Sequence, residues 1–505
     1  MDQQFDVIVV GAGNGGLAAA ANTAKAGCKT LLLEKHNLPG GCATSFKRGR
    51  FEFEPSLHEL CSVGTEERPN TVYQIFKDLD AKVEWRYEHD IFRTILKGEN
   101  GYDITLRAGI DAFCESVDAA VPGSKKSVKD FLALKKKINA AIDYIYKMKG
   151  KPKGLTMILK HADFMRVAGH SVEEVMTALG MPEKAQNLIN TYWGYLGVPS
   201  DELNAMHFLN MLYDYVNDGA AMAHHRSHEL SSALVDVIER NGGQVWYNSE
   251  VTQFLYNKDG SVAGVAVGDK KIYAKEVISN VIPNNVFNMS DPKVIPEQNI
   301  KLANAREFGI SVATIYLGLD CTAEELGMKD YTIFIKGYDN PRAQYDHRLE
   351  DGLYIVNCLN RVVPDSSPEG TCTLFFTIPI FGCDVPKDLK PQDYKKYKNE
   401  IAKKYIEDAE QTLGISILPH IEEISVATPV TFARYLGTPE GTIYGYKLSG
   451  WDNLMARTAG EKTDYAIPGL SFCGGHYIRG DGYSCAYAMG DTVGKRVAKR
   501  VKGGA

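Results

Sequence analysis

The sequence predicts an α/β fold. Three features predict it: a short apolar run that meets closely spaced glycines near the N-terminus, an alanine-rich stretch and second apolar run directly behind them, and a glycine-rich loop leading into a helix at the far end of the chain.

Phe5 to Val10 is rich in valine and isoleucine and reads as a strand. Gly11, Gly13 and Gly16 follow at GxGxxG spacing around Asn14 and Gly15, and Leu17 to Ala26 reads as a helix. The first glycine permits the turn, the second lets backbone approach a pyrophosphate, and the third lets the helix pack on the strand. The helix N-terminus adds amides and positive potential. A second strand, Thr30 to Leu33, ends at Glu34, where a carboxylate meets a ribose hydroxyl pair. Strand, turn, helix, strand and acid together form a Rossmann-type dinucleotide-binding unit, open to NAD or FAD. The stretch "NLPGGCATSF" favours FAD: Gly40 and Gly41 bring backbone close to the cofactor, where an NAD domain normally continues into another βαβ repeat.

Between residues 225 and 290 the pattern is helix, Gly-Gly turn, then strands Gln244 to Asn248, Glu250 to Tyr256, Val262 to Val267 and Glu276 to Ser279. Returned to the nucleotide sheet, they place Val251 over the adenine and Asn280 at the end of a parallel strand. At the far end, Leu470 to Cys473 reads as a strand and Ser484 to Val501 as a helix, with Ala486, Ala488, Met489, Val493 and Val497 on its buried side. Gly480 and Gly482 stand just before that helix, where amides face a flavin edge.

The chain has 505 residues, is 44% hydrophobic and carries a net charge of −6, so nothing points to nucleic acid as a partner. Ten dispersed cysteines without a CxxC pair fit a reduced, cytoplasmic setting, and the N-terminus shows no leader pattern. The "HHRSH" run (His224, His225, Arg226, His228) lacks a carboxylate or cysteine at ligand spacing, and no metal site is expected.

These residues resemble the phytoene desaturase, carotenoid cis-trans isomerase and retinol saturase group of FAD-dependent oxidoreductases. "GAGNGGLAAA", "LEKHNLPGGCATSFKRGRFEFEPSLHEL", "YLGVPSDELNA", "SSPEGTCTLFFTIP", "ATPVTFARYLGTPEGTIYGY" and "PGLSFCGGHYIRGDGYSCAYAMG" occur in family order over nearly the whole chain. The match is closer to the isomerase and saturase branch. The resemblance implies a discontinuous FAD-binding domain (residues 1–125, 225–290 and 425–505) and a mixed α+β substrate domain (126–224 and 291–424). It adds Lys35, Ser45, Gly474, Gly475 and Tyr483 to the cofactor-binding residues. It implies His58, Arg434, Tyr444, His476, Tyr477 and Asp481 as catalytic candidates, with Arg479 also near the ring. Gly475 stands where the family usually has an aspartate for the ribityl chain, and "DGAAMAHHRSHEL" replaces the usual aromatic-Pro-Gly-Gly segment.

In the first insert, Phe131, Leu132, Leu134, Ile138, Ala141, Ile142 and Ile145 recur at helical spacing, either as helix-helix core or as the lining of an apolar tunnel. The second insert offers β-branched strands for an antiparallel sheet roofing the flavin. The basic, apolar segment from Lys135 to His161 either rests on an anionic membrane or is a solvated helix face. The expected activity is saturation, desaturation or redox-neutral isomerisation of a carbon-carbon double bond in an apolar unsaturated substrate, with an external electron donor or acceptor. The alternative is a non-catalytic isoprenoid- or lipid-binding escort of the same fold.

Overall fold

Every residue of the first strand from Val7 to Val10 is buried, and a strand buried on both faces needs parallel neighbours covered by helices. In the structure, a computed structural model, residues 3–503 are described except 89, 149–151, 449, 479 and 481; the side chains of Gln3 and Tyr146 are likewise not described. Gln3–Val10 pairs in parallel with Thr30–Leu33 on one side and Lys270–Ser279 on the other, so that Val10 stands beside both Leu33 and Ser279. Gln244–Trp246 adds to Thr30–Leu33, and Leu470–Phe472 adds to the end of Lys270–Ser279, both in parallel. Val262–Val267 and Val251–Tyr256 extend the sheet antiparallel to seven strands. The strand expected over Gln244 to Asn248 stops at Trp246, because Asn248 takes a φ of 50° and turns its N–H to the His36 carbonyl.

Helix Asn14–Lys25 is made of alanine where it matters: Ala18, Ala19, Ala20 and Ala21 are fully buried between the sheet and the last helix, Gly482–Val501. That helix comes close through Gly490 and Gly494, where an added Cβ would stand 2.2 Å from the Gly15 carbonyl and 2.7 Å from that of Ala19. Small residues four apart let two helices meet at backbone contact, locking the chain's two ends together.

A second seven-stranded sheet has the order Ile421–Ala427, Val312–Leu319, Cys372–Pro379, Leu353–Cys358, Thr332–Lys336, Asp90–Leu96, Tyr102–Arg107. It is antiparallel except where Asp90–Leu96 lies parallel to Thr332–Lys336. The hairpin from 90 to 107 falls within the expected cofactor segment 1–125, yet its ladder joins this second sheet, whose edge at Thr332–Lys336 leaves its hydrogen-bonding groups open to it. Helices Lys125–Lys147, Ala162–Ala168 and Ala205–Asp218 pack beside this sheet around a separate core containing Phe131, Leu132, Ile138, Trp193 and Leu209.

Candidate active site

A cavity of about 1410 Å³ opens at the carboxyl ends of the first sheet's parallel strands. This is where doubly wound sheets bind ligands. Gly11 takes a φ of 93°, and a Cβ on Gly16 would stand 1.9 Å from the Gly11 carbonyl oxygen, so the first glycine makes the turn and the last seats the helix. Gly13, Asn14 and Gly15 line the cavity at the helix N-terminus, which no side chain caps. Asn14 is buried and its Oδ1 has no partner. Glu34 accepts from the Ala12 N–H (2.7 Å) and the His36 N–H (2.9 Å), and faces the cavity with Lys35. Gly40 (φ 119°) and Gly41 (φ 60°) fold onto this loop, the Gly40 N–H donating to the Ala12 carbonyl at 2.8 Å.

Asn280 follows the central parallel strand, its N–H on the Val10 carbonyl, and its side chain stands over Gly13, Gly15 and Gly474. Val251 lines the same end, near Ser249 and the stacked rings of His36 and Tyr435 (centroids 5.5 Å apart). From Gly474, beside Gly15, the lining runs on through Gly475, His476, Gly482 and Tyr483, with the Tyr444 backbone against Gly475. The Tyr483 hydroxyl donates to the Cys42 carbonyl at 2.6 Å, tying the last helix to the Gly40–Gly41 turn. Behind the loop, Arg457 is 2% exposed, pairs with Asp452 at 2.7 Å and donates to the Tyr477 carbonyl at 3.2 Å. A buried charge pair so fully bonded fixes the loop's backbone.

The cavity's remaining wall belongs to the second sheet and the helices. His58 lies between the rings of Tyr195 (5.3 Å) and Phe375 (5.6 Å), and its Nε2 shares a 2.6 Å hydrogen bond with the Thr377 hydroxyl. Burial pulls the His58 imidazole down to about 3, and burial with the nearby Arg457 charge does the same to His476, so both rings are neutral at ordinary pH. Beyond His58 the lining is mixed: Ile142, Ile145, Phe164, Leu196 and Met206 stand beside Lys135, Asn139, Asn210 and Asp214 of the same helical wall. Of the first insert's stripe, Phe131, Leu132, Leu134, Ile138 and Ala141 are buried in the core, as the core reading has it, while Ile142 and Ile145 line the cavity together with Lys135 and Asn139.

A family model for an NAD(P)-binding Rossmann-like domain matches residues 9–79. The all-trans-retinol 13,14-reductase of Danio rerio is 25% identical over 480 residues, covering 88% of this chain and 78% of the relative. The phytoene desaturase of Fusarium fujikuroi is 22% identical over 537 residues, 99% of this chain and 90% of its own. The chain is thus similar over most of its length to proteins named as a retinol reductase and a phytoene desaturase. An oxidoreductase from Methanosarcina mazei shares the fold of this chain with a TM-score of 0.66 at 17% identity, over 97% of this chain and 100% of that one.

The chain is an FAD-dependent oxidoreductase, and its residues fit the cofactor. The uncapped helix N-terminus and glycine cradle suit a diphosphate, the orphaned Asn14 Oδ1 supplies an acceptor, and Glu34 suits a ribose. Some expected site residues lie elsewhere. Gly16 sits beneath the turn, outside the cavity lining, and Ser45 is buried away from it. Arg434 is exposed on helix Pro429–Leu436, whose buried face carries Pro429 and Phe432, so it faces solvent and the catalytic expectation is corrected. Tyr477 is corrected likewise: its hydroxyl donates to the Glu461 carbonyl at 3.2 Å, behind the loop, because the backbone turn that aims His476 inward aims its neighbour outward. Asp481 and Arg479 lie outside the described residues.

The sequence reading also missed contributors. Tyr195 and Phe375 come from distant elements, and only their aromatic character in buried segments hinted at them. His224 finds carboxylates that spacing did not reveal: its Nδ1 meets Glu84 at 3.0 Å and its Nε2 meets Asp365 at 2.9 Å. His225 joins Glu84 and His224 on this surface, where Arg86 pairs with Glu84 at 2.5 Å.

Proposed function

We propose that this flavoprotein acts on a carbon-carbon double bond of an apolar, conjugated or polyunsaturated substrate. The observation that carries the reading is one continuous cavity: a dinucleotide cradle at one end, an arm bearing Ile142, Ile145, Phe164, Leu196 and Met206 at the other, and Tyr444 with the neutral rings of His58 and His476 between them. Bound FAD supplies hydride transfer. The chain holds the diphosphate at Gly11, Gly13, Asn14 and Gly15, the ribose at Glu34, the adenine at Val251, and the ring end at Gly474, Gly475, Gly482 and Tyr483. The apolar side chains of the arm lay the polyene against the ring. We divide the chain as its segments imply, with the 90–107 hairpin moved to the substrate domain.

The proposed substrate enters from a membrane. Leu155, Ile158, Leu159 and Met165 are 70%, 66%, 72% and 56% exposed on the consecutive helices Gly154–Lys160 and Ala162–Ala168, among the exposed Lys153, Lys160 and Arg166. Phe164, on the second of these helices, lines the cavity. Apolar side chains rimmed by cations suit an anionic bilayer surface. No helix among the described residues is long and apolar enough to cross a membrane.

The function is tested by reducing the FAD-loaded protein anaerobically and presenting retinoids, carotenoids, unsaturated fatty acids and, as a contrast, primary amines. Flavin reoxidation with loss of a double bond establishes saturation; product rearrangement while the flavin stays reduced establishes isomerisation. Oxidised flavin bleached by a polyene establishes desaturation. Response to amines alone contradicts the reading.

A further inference from the structure

Resting on that reading, we infer that Tyr195, backed by the buried carboxyl of Glu59, exchanges a proton with the substrate carbon adjacent to the one that exchanges hydride. Tyr195 lines the cavity against His58 and is only 8% exposed, yet its hydroxyl makes no hydrogen bond. A buried phenol is normally paired, so one left unpaired at a cavity wall, beside a carboxyl that lines the same cavity, is placed to pass a proton between that carboxyl and what binds there.

Behind it stands Glu59. The chain bends at Ser56 and His58, and the two neighbours diverge: His58 turns to Phe375 and Thr377 while Glu59 turns into a cluster of tyrosines. Its Oε2 accepts from Tyr192 at 3.3 Å, and its Oε1 has no partner. Tyr195 and Thr332 also lean on this carboxyl, and Tyr215 donates to the Glu59 carbonyl at 3.0 Å. The remaining titratable groups facing it are Glu88 and Tyr331, and Glu88 has an unpartnered Oε1 of its own. Neither carboxyl has a cation among its described neighbours. Two buried carboxyls without a countercharge keep their protons: burial pushes Glu59 up to about 8 and, with the Glu59 charge, Glu88 well above the usual range.

The other cavity groups are poorer donors. His58 and His476 carry no second proton at neutral pH, and the Tyr483 hydroxyl is committed to the Cys42 carbonyl. In the reducing direction one alkene carbon takes the hydride that reduced flavin supplies. The Tyr195 O–H bond breaks and its proton forms the C–H bond on the neighbouring carbon. The phenolate recovers a proton from Glu59, the remaining negative charge is shared with Glu88, and solvent restores the pair between turnovers. Desaturation runs the same path backward. Tyr195 is the catalytic residue and Glu59 a positioning residue that acts through it.

The test is single-turnover reduction of a conjugated polyene by the full-length, FAD-loaded, prereduced protein in deuterated water, for wild type, Tyr195→Phe, Glu59→Gln and Tyr444→Phe. Expected are a wild-type rate that falls as pH rises through about 8, and a Glu59→Gln rate without that limb. Tyr195→Phe should slow the step by roughly 10²- to 10⁴-fold, the usual worth of a general acid. Flavin absorbance and polyene affinity should match wild type in Tyr195→Phe, which keeps the ring stack. A Tyr195→Phe variant with wild-type rate and pH profile, or the loss appearing in Tyr444→Phe instead, overturns the proposal. If wild type itself transforms no polyene, the functional reading and the proton role fall together; an active wild type with an unaltered Tyr195→Phe removes the proton role alone.

Discussion

The cavity's two halves are built by different means. The cradle is backbone: Gly11, Gly13, Gly15, Gly40, Gly41 and Gly474 present peptide groups, and one carboxylate, Glu34, fixes the loop through two amides. The opposite wall is side chain: His58, Tyr195, Phe375 and Tyr444 come from four segments and meet only because the second sheet and the helical insert fold over the first sheet. A backbone site tolerates no Cβ but many distant changes. A side-chain wall tolerates changes of residue type, which is how one cofactor scaffold serves many substrates.

The comparison breaks most severely at Gly16. A valine there places atoms inside contact distance of the Gly11 carbonyl oxygen, and neither backbone segment can give way. Gly16→Val is expected to yield protein without bound flavin and with a much lower melting temperature, read by absorbance and thermal unfolding.

Acid is the next largest effect, and it acts on the wall. His58 and His476 are held at about 3 when folded against 6.5 when unfolded. A depressed folded value contributes stability that is present above 6.5 and lost as pH falls towards 3. Melting temperatures should therefore decline across that window, and less steeply in His58→Gln. Glu59 has the opposite sense: raised from 4.5 to about 8, it contributes stability that is full below 4.5 and lost as pH rises through 8. The two shifts together favour a maximum of stability between the windows' ends, not at either extreme.

Glu34→Ala sharpens the comparison from the cradle side. It removes the acceptor of two amides and the ribose partner, where a hydrogen bond to a charged group is worth roughly 1.5–3 kcal/mol. FAD affinity, measured by fluorescence titration, should weaken about ten- to a hundredfold on that scale. The smallest effect belongs to Arg434→Ala: an exposed side chain outside the cavity should leave FAD binding and turnover within about twofold, since such surface changes stay near ±0.5 kcal/mol.

The same contrast explains what was legible in the sequence. Gly11, Gly13, Gly16 and Glu34 could be assigned because a tight turn, a close approach and a strand-end acid are local demands that fix residue type at fixed spacing. Asn280 was legible because a parallel strand must end beside the glycine turn. The GxxxG spacing of Gly490 and Gly494 was equally visible, but the helix was read for its apolar stripe, and the close helix-helix approach was missed. Tyr195 and Glu59 were not legible as a pair: 136 positions separate them, and neither carries a spacing signal. Arg434 and Tyr477 were misplaced because a motif records that residues recur together, not which face each presents. The hairpin at 90–107 was assigned by position in the chain, while its pairing is decided by an open sheet edge more than 220 residues away.

The central claim is that the cradle's flavin and the wall's polyene react with each other inside one cavity. The measurement that tests it most directly is a stoichiometric one: protein purified with FAD, fully reduced without oxygen, mixed with one equivalent of conjugated polyene, and followed by flavin absorbance and product analysis together. The account predicts that changes in the polyene's double bonds track the flavin, one flavin reoxidised per bond saturated, or bond rearrangement that requires the reduced form and stops when it is oxidised. Protein that retains no FAD, or reduced FAD beside a polyene that stays unchanged across the substrate panel, contradicts it.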